Sequence, residues 1–187
     1  MLKQTLVHLF APQDAPLAGA AHFARFYEEC HLHVFRYAYA LLGGAIDDAE
    51  DVTSETFARA WDHRQRFRGD ADAALAWVLT IARRRVIDMA RRQRRQPLPA
   101  DLPGPSAPLP VEAAVLAGER SRTLISLLRA LPDDQREMLV LRYILGWQVK
   151  RVAAHFGKPE NTIAVTIRRC LQRLQHAWPH AHLEELQ

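Results

Sequence analysis

Residues 75–95 read LAWVLTIARRRVIDMARRQRR. With a helical period, Leu75, Leu79, Ala82, Val86 and Met89 follow at steps of four, three, four and three, which draws one apolar stripe along a rod. Trp77, Ile81, Arg84, Asp88, Arg91 and Arg95 form a second row at the same steps. From Ile81 to Arg95 seven arginines stand against one acid, Asp88, so this segment carries +6 while the whole chain carries +4. The rest of the chain is therefore slightly acidic, and the basic character is local. That points to a compact surface for a polyanion. Arginine suits phosphate because its planar fork makes paired hydrogen bonds and keeps its charge. An aromatic beside arginines suits unstacked bases. A solvated basic helix end would have the same composition, so the flanking segments decide between the two.

At 187 residues the chain has room for one ordinary domain or two small ones, and 49% hydrophobic residues allow real cores. Alanine, leucine and arginine dominate and alternating β-branched runs are scarce, so the fold class is all-α. The isoelectric point of about 9.4 fits a nucleic-acid partner or an acidic membrane surface. No apolar run approaches the roughly 18 residues of a membrane span, and the N-terminal apolar run is short and broken by Pro12 and Pro16, unlike a signal peptide. Cys30 and Cys170 stand far apart with no CxxC, which makes a reduced, cytoplasmic setting the default.

Residues 1–19 show no sustained period and are expected to be a flexible N-terminus. A helix follows from Ala20, with Phe23, Tyr27, Cys30, Val34, Tyr37 and Leu41 as its stripe and Gly43-Gly44 as its stop. A second helix opens at Asp47, where Asp47 and Glu50 make an expected capping pair, and runs to Trp61. Val52, Thr56 and Ala60 form its apolar side, with Phe57 and Trp61 adjacent; Asp51, Glu55 and Arg59 line another side. Phe67–Asp70 reads as a turn into the arginine helix. Residues 96–111 hold six prolines and read as a stiff, extended linker. It separates two small helical bodies, 20–95 and 112–187. In the second body, helices are expected at 112–130, 133–145 and 147–156, with Pro132 as a first helical residue. Gly157 then gives a tight turn into a longer helix after Pro159, a helix-turn-helix pattern. Ile163, Ile167, Leu171 and Leu174 would be the buried side of that helix. Asn161, Thr162, Val165, Arg168, Arg169 and Gln172 would be exposed.

Four blocks in order resemble the sigma factors of bacterial RNA polymerase, in the extracytoplasmic-function (ECF) group: DDAEDVTSETFARAW (47–61), the segment 67–95, LRALPDDQREMLVLRYILGW (128–147) and VAAHFGKPENTIAVTIRRCLQRL (152–174). The resemblance covers nearly everything from Phe23 to Leu174. It implies that the acidic helix docks on a coiled coil of the polymerase's largest subunit, with Asp48, Asp51, Glu55, Phe57 and Arg59 on that motif. It implies that the loop Arg66–Ala74 takes a base flipped from the −10 strand, so that Arg66, Arg68, Asp70 and Trp77 join Arg84, Asp88, Arg91, Arg92 and Arg95 as the −10 surface. Flipping a base costs a few kcal/mol, which a pocket and stacking offset. It places the last long helix in the major groove at −35, through Asn161, Thr162, Val165, Arg168, Arg169 and Gln172. The implied partners are core RNA polymerase, including its flap, promoter DNA and an anti-sigma protein. No cofactor or membrane insertion is implied.

Besides a loop at Gly69–Trp77 that is about one residue longer than common, two segments depart from the family pattern. Arg84 stands where many members carry Asn, and Ala164-Val165-Thr166 replaces a Lys-Ser-Arg run. The second change removes donors from the reading helix and shifts the expected burden to Arg168, Arg169 and the first body. Two other readings stay open on sequence alone: a stand-alone helix-turn-helix regulator, and a metal- or redox-sensing module built on Cys30, His31, His33 and the His176, His180 and His182 cluster. An enzyme is disfavoured, since no Gly-rich phosphate loop, nucleophile elbow or paired catalytic carboxylates stand out.

Overall fold

The computed structural model describes residues 17–95 and 119–178. The expected N-terminal segment up to residue 16, the linker 96–111, the start of the second body at 112–118, and His180 and His182 lie outside the described residues. Those described fall into two compact helical units, with no strand among them.

The first unit is three mutually packed helices: α1 (Ala20–Leu41), α2 (Ile46–His63) and α3 (Ala71–Arg95). Its core is the intersection of three stripes. Phe23, Phe26, Cys30, Val34 and Tyr37 of α1, Val52, Thr56, Phe57 and Ala60 of α2, and Leu75, Val78, Leu79, Ala82 and Val86 of α3 are all buried. Each stripe is a helical repeat of apolar residues, so the same pattern that forms the helix also supplies the surface that packs it. Rings fill the space between α1 and α2: Phe23 and Phe57 meet edge to face at 6.4 Å, and Phe23 and Trp61 at 5.1 Å.

Three details differ from the sequence reading. Tyr27 is 42% exposed although its ring meets Phe57 at 4.8 Å, and Phe26, on the inner side of the same ring cluster, is buried in its place. Met89 is only half-buried. The Asp47–Glu50 capping pair is not formed: α2 starts at Ile46 with Ala45 as its cap, and no side chain caps it. Asp47 and Asp48 still occupy the first turn, where the helix dipole favours them.

The second unit holds α4 (Glu119–Arg129), α5 (Asp133–Leu139), α6 (Val149–Phe156) and α7 (Glu160–Ala177). Pro132 caps α5 from outside rather than occupying its first turn. Arg136 ties α5 to the end of α4: its guanidinium donates to the carbonyls of Leu128 at 3.0 Å, Arg129 at 3.2 Å and Leu131 at 3.2 Å. A cation there satisfies the open carbonyls of a helix end. Beyond α5 the chain winds more loosely through Val140–Ile144, and the Leu145 amide bonds five residues back to Val140 at 3.1 Å. Trp147 is not helical as expected but buried before α6, its carbonyl held by Arg142 at 2.9 Å. The turn into α7 is closed by Gly157 at φ +61, whose successor, Lys158, donates to the Ala153 carbonyl at 3.1 Å. α7 packs on α4, α5 and α6 through Ile163, Ile167 and Cys170. Leu171 and Leu174, expected in that core, are half-buried, and Cys170 fills the space instead.

Candidate nucleic-acid interface

Three helical turns of α3 present its polar row outward. Arg84, Asp88, Arg91 and Arg92 are exposed, Trp77 is half-buried, and Arg95 is the last residue of the helix. The loop before α3 is tightly built. After a single tight turn at Arg64–Arg66, Phe67 is extended and Gly69 takes φ +150. A Cβ on Gly69 would lie 2.8 Å from the Ala73 Cβ and 3.0 Å from the Phe67 ring, so only glycine fits. Asp70 begins α3 by accepting from the Ala73 amide at 2.8 Å through its carboxylate, which gives this carboxylate a local structural role. Arg68 folds back on the loop, donating to the carbonyls of Gln65 at 2.6 Å and Phe67 at 2.7 Å. Arg66 is exposed. Arg64 lies over the Trp61 ring, 3.4 Å from its centre.

This geometry brings Phe67 and Trp77 together with ring centres 5.3 Å apart, an aromatic pair at the base of the arginine face. Phe67 was missed from the sequence because periodicity is silent across a loop. The signal was Gly69, whose missing side chain lets the ring lie over the helix start. The loop and the face together offer rings for bases and guanidinium groups for phosphates.

On α2 the expected docking residues separate. Asp51 and Arg59 are exposed, and Asp48 is half-buried. Phe57 is 4% exposed and belongs to the core, not to the outer surface; only its neighbour Tyr27, 4.8 Å away ring to ring, reaches solvent. Glu55 is already engaged, by Arg59 at 2.8 Å and by Arg85 of α3.

In the second unit the six expected residues do share one exposed face: Asn161, Thr162, Val165, Arg168, Arg169 and Gln172 are all exposed on α7. Val165 is 48% exposed, an apolar residue in the middle of that row. One link was not legible in sequence. His155 of α6 meets the buried carboxylate of Glu137 of α5 at 3.0 Å, edge-on to Trp147.

Within each unit the described cysteines and histidines have separate surroundings. Burial pushes the Cys30 thiol up to about 12, with Glu29 adding to the shift. Burial lowers the His33 imidazole, helped by Arg36. His31 turns its Nδ1 to the Tyr27 and Glu28 carbonyls at 3.1 Å. Among the described residues no three His, Cys, Asp or Glu side chains form a metal-sized group, and no helix is long and apolar enough to cross a membrane.

Known proteins match this arrangement along both units. The sigma-70 region 2 family matches residues 26–96, and the sigma-70 region 4 family matches residues 121–174. The ECF RNA polymerase sigma factor SigL of Mycobacterium tuberculosis is 32% identical over 167 residues, covering 86% of this chain and 91% of that protein. The ECF RNA polymerase sigma factor SigK of Mycobacterium bovis is 29% identical over 164 residues, covering 83% and 85%. Among solved structures, the sigma factor RpoE in complex with the anti-sigma factor NepR from Bartonella quintana aligns with a TM-score of 0.58 at 25% identity, over 81% of this chain and 95% of that one. CnrH in complex with the cytosolic domain of CnrY shares the fold, with a TM-score of 0.61 at 23% identity, over 87% and 91%.

Proposed function

The chain belongs to the ECF group of RNA polymerase sigma factors, and from that premise we propose that it binds core RNA polymerase and directs promoter recognition and initiation through two separate basic surfaces. The observation that carries this is the pairing of surface with family segment. The exposed arginines of α3 lie within the region 2 match, and the exposed row of α7 lies within the region 4 match.

Three tasks divide among the residues. Docking on the largest subunit's coiled coil falls to the acids of α2, the exposed Asp51 with the half-buried Asp48, while Phe57 holds that helix on the core from inside. At −10, Phe67 and Trp77 stack on an unpaired base while Arg84, Arg91, Arg92 and Arg95 grip the strand's phosphates. Asp88, exposed among them, gives that row an acceptor for a base amino group. At −35, α7 enters the major groove, with Arg168, Arg169, Asn161 and Gln172 as donors and Val165 against an apolar edge. Residues 20–95 and 112–187 are the two working domains, and 96–111 is the tether that lets them sit at separated promoter elements. Melting needs no covalent step, so the chain acts by binding alone; the setting is the cytoplasm, with an anti-sigma protein as restraint.

A stand-alone helix-turn-helix regulator would leave the whole first unit without a role, although it matches region 2 along its length. A pull-down separates the two readings. The full chain is expected to retain core RNA polymerase at near-stoichiometric amounts, whereas a stand-alone regulator would retain none.

A further inference from the structure

The exposed face of α7 has an apolar centre. Val165 stands three or four residues from each of Asn161, Thr162, Arg168 and Arg169, the spacing that makes side chains neighbours on a helix. All four are polar and exposed, while Val165 itself is 48% exposed and Ala164 beside it is exposed too. Thr166 adds no donor, because its hydroxyl donates to the Thr162 carbonyl at 2.7 Å. Arg173 is engaged elsewhere, donating through Nη2 to Oε1 of Gln135 on α5 at 2.9 Å. The face is thus a branched apolar side chain ringed by two guanidinium groups, an amide and a hydroxyl.

The major-groove edge of duplex DNA carries one projecting apolar group, the 5-methyl of thymine; its other distinguishing groups are donors and acceptors. The arginines draw the helix to the duplex, whereas a valine among them has nothing to donate or accept. Along α7 the rise from Val165 to Arg168 is about 4.5 Å, close to one base-pair step. We propose that Val165 is a specificity-determining residue: it seats on the 5-methyl group of one thymine in the −35 duplex, next to the base pair that Arg168 reads. A methyl contact then stands where the Ala164-Val165-Thr166 segment lacks long polar donors. This rests on the sigma-factor reading, and its failure is distinguishable from the failure of that reading.

The test uses the full chain with core RNA polymerase on a promoter duplex that the wild-type chain has selected from a randomised library. Each thymine of the −35 element is replaced in turn by deoxyuridine, which keeps the pairing and removes only the methyl. Affinity is read by fluorescence anisotropy for the wild type and for Val165→Ser. In the wild type, deoxyuridine at one position is expected to weaken binding by about fourfold, the effect of one buried methyl. Val165→Ser is expected to weaken binding to the unmodified duplex by a similar factor. It should also bind the thymine and deoxyuridine duplexes equally, because methyl and valine form one contact. Three results would overturn the proposal: a selected −35 element without thymine, deoxyuridine tolerated at every position, or a deoxyuridine penalty that persists unchanged in Val165→Ser. Core affinity lost by Val165→Ser in the absence of DNA would also overturn it, by making the valine a protein contact. A wild-type chain that selects no promoter would defeat the sigma-factor reading itself.

Discussion

The Phe67 and Trp77 rings lie with centres 5.3 Å apart and planes inclined by 33°, across the loop that leads into the arginine helix. Phe67 reaches Trp77 because Gly69 leaves the space a side chain would fill. If this pair receives an unpaired base, removing a ring removes a stacking surface worth about 1–3 kcal/mol. Trp77→Ala should therefore weaken binding of the full chain with core polymerase to a −10 single strand by about tenfold or more. Duplex contacts at −35 should stay intact. Anisotropy with a fluorescent oligonucleotide reads this directly, and unchanged affinity would remove the pair from the interface.

Asp51 and Phe57 are six residues apart on α2 and should fail differently. Asp51 is exposed, so Asp51→Arg should leave the thermal melt near wild type and weaken core binding by about tenfold or more, by reversing a docking charge. Phe57 is 4% exposed between Phe23, Phe26 and Tyr27. Phe57→Ala should lower stability by about 3–5 kcal/mol through the cavity it leaves. Denaturant melts paired with core-binding titrations separate these effects; equal melts for both variants would contradict the burial argument.

Much of this was legible before the fold was known. Stripes of apolar residues at helical spacing gave α1, α2 and α3, and Gly43 and Gly157 marked where helices end. The exposed row of α7 followed from the same period. Tertiary choices were not legible. Arg84 and Arg85 are neighbours of identical chemistry, and only the position of Glu55 on another helix decides which one turns inward. Tyr27 and Phe26 likewise both meet the Phe57 ring, and only the packing around it decides that Phe26 is the buried one. The loose turn at Val140–Ile144 has no local sequence mark, since residues with ordinary helix propensity fill it. The capping pair failed for a simpler reason: α2 begins one residue earlier than Asp47.

Arg91 and Arg92 are exposed near the end of α3. If they neutralise phosphates, replacing both with Ala should shrink the slope of log affinity against log salt by about 0.7–0.9 for each contact removed. Promoter binding by the polymerase complex, titrated across a salt series, gives the slope. A lower affinity with an unaltered slope would mean that they do not meet phosphate.

Cys30 offers a check on the first unit's core. Its thiol is held neutral by burial, with the pKa raised from 9.0 to about 12. The unfolded chain releases that proton first, so the contribution to stability is full below about pH 9 and is lost as pH rises toward 12. Stability measured by urea melts should therefore fall over that alkaline window in the wild type, and less so in Cys30→Ala. Below pH 9 the native thiol should also resist alkylation until the chain is unfolded. Rapid labelling of the native chain would show that α1 is not packed as described.

The most direct measurement is run-off transcription with purified chain and core RNA polymerase on a randomised promoter library, with recovered templates sequenced. Transcripts should appear only when the chain is present. Their templates should share a sharply defined −10 element and a weaker −35 element, because Ala164-Val165-Thr166 leaves few donors in the reading helix. No chain-dependent transcript from any template would contradict the account.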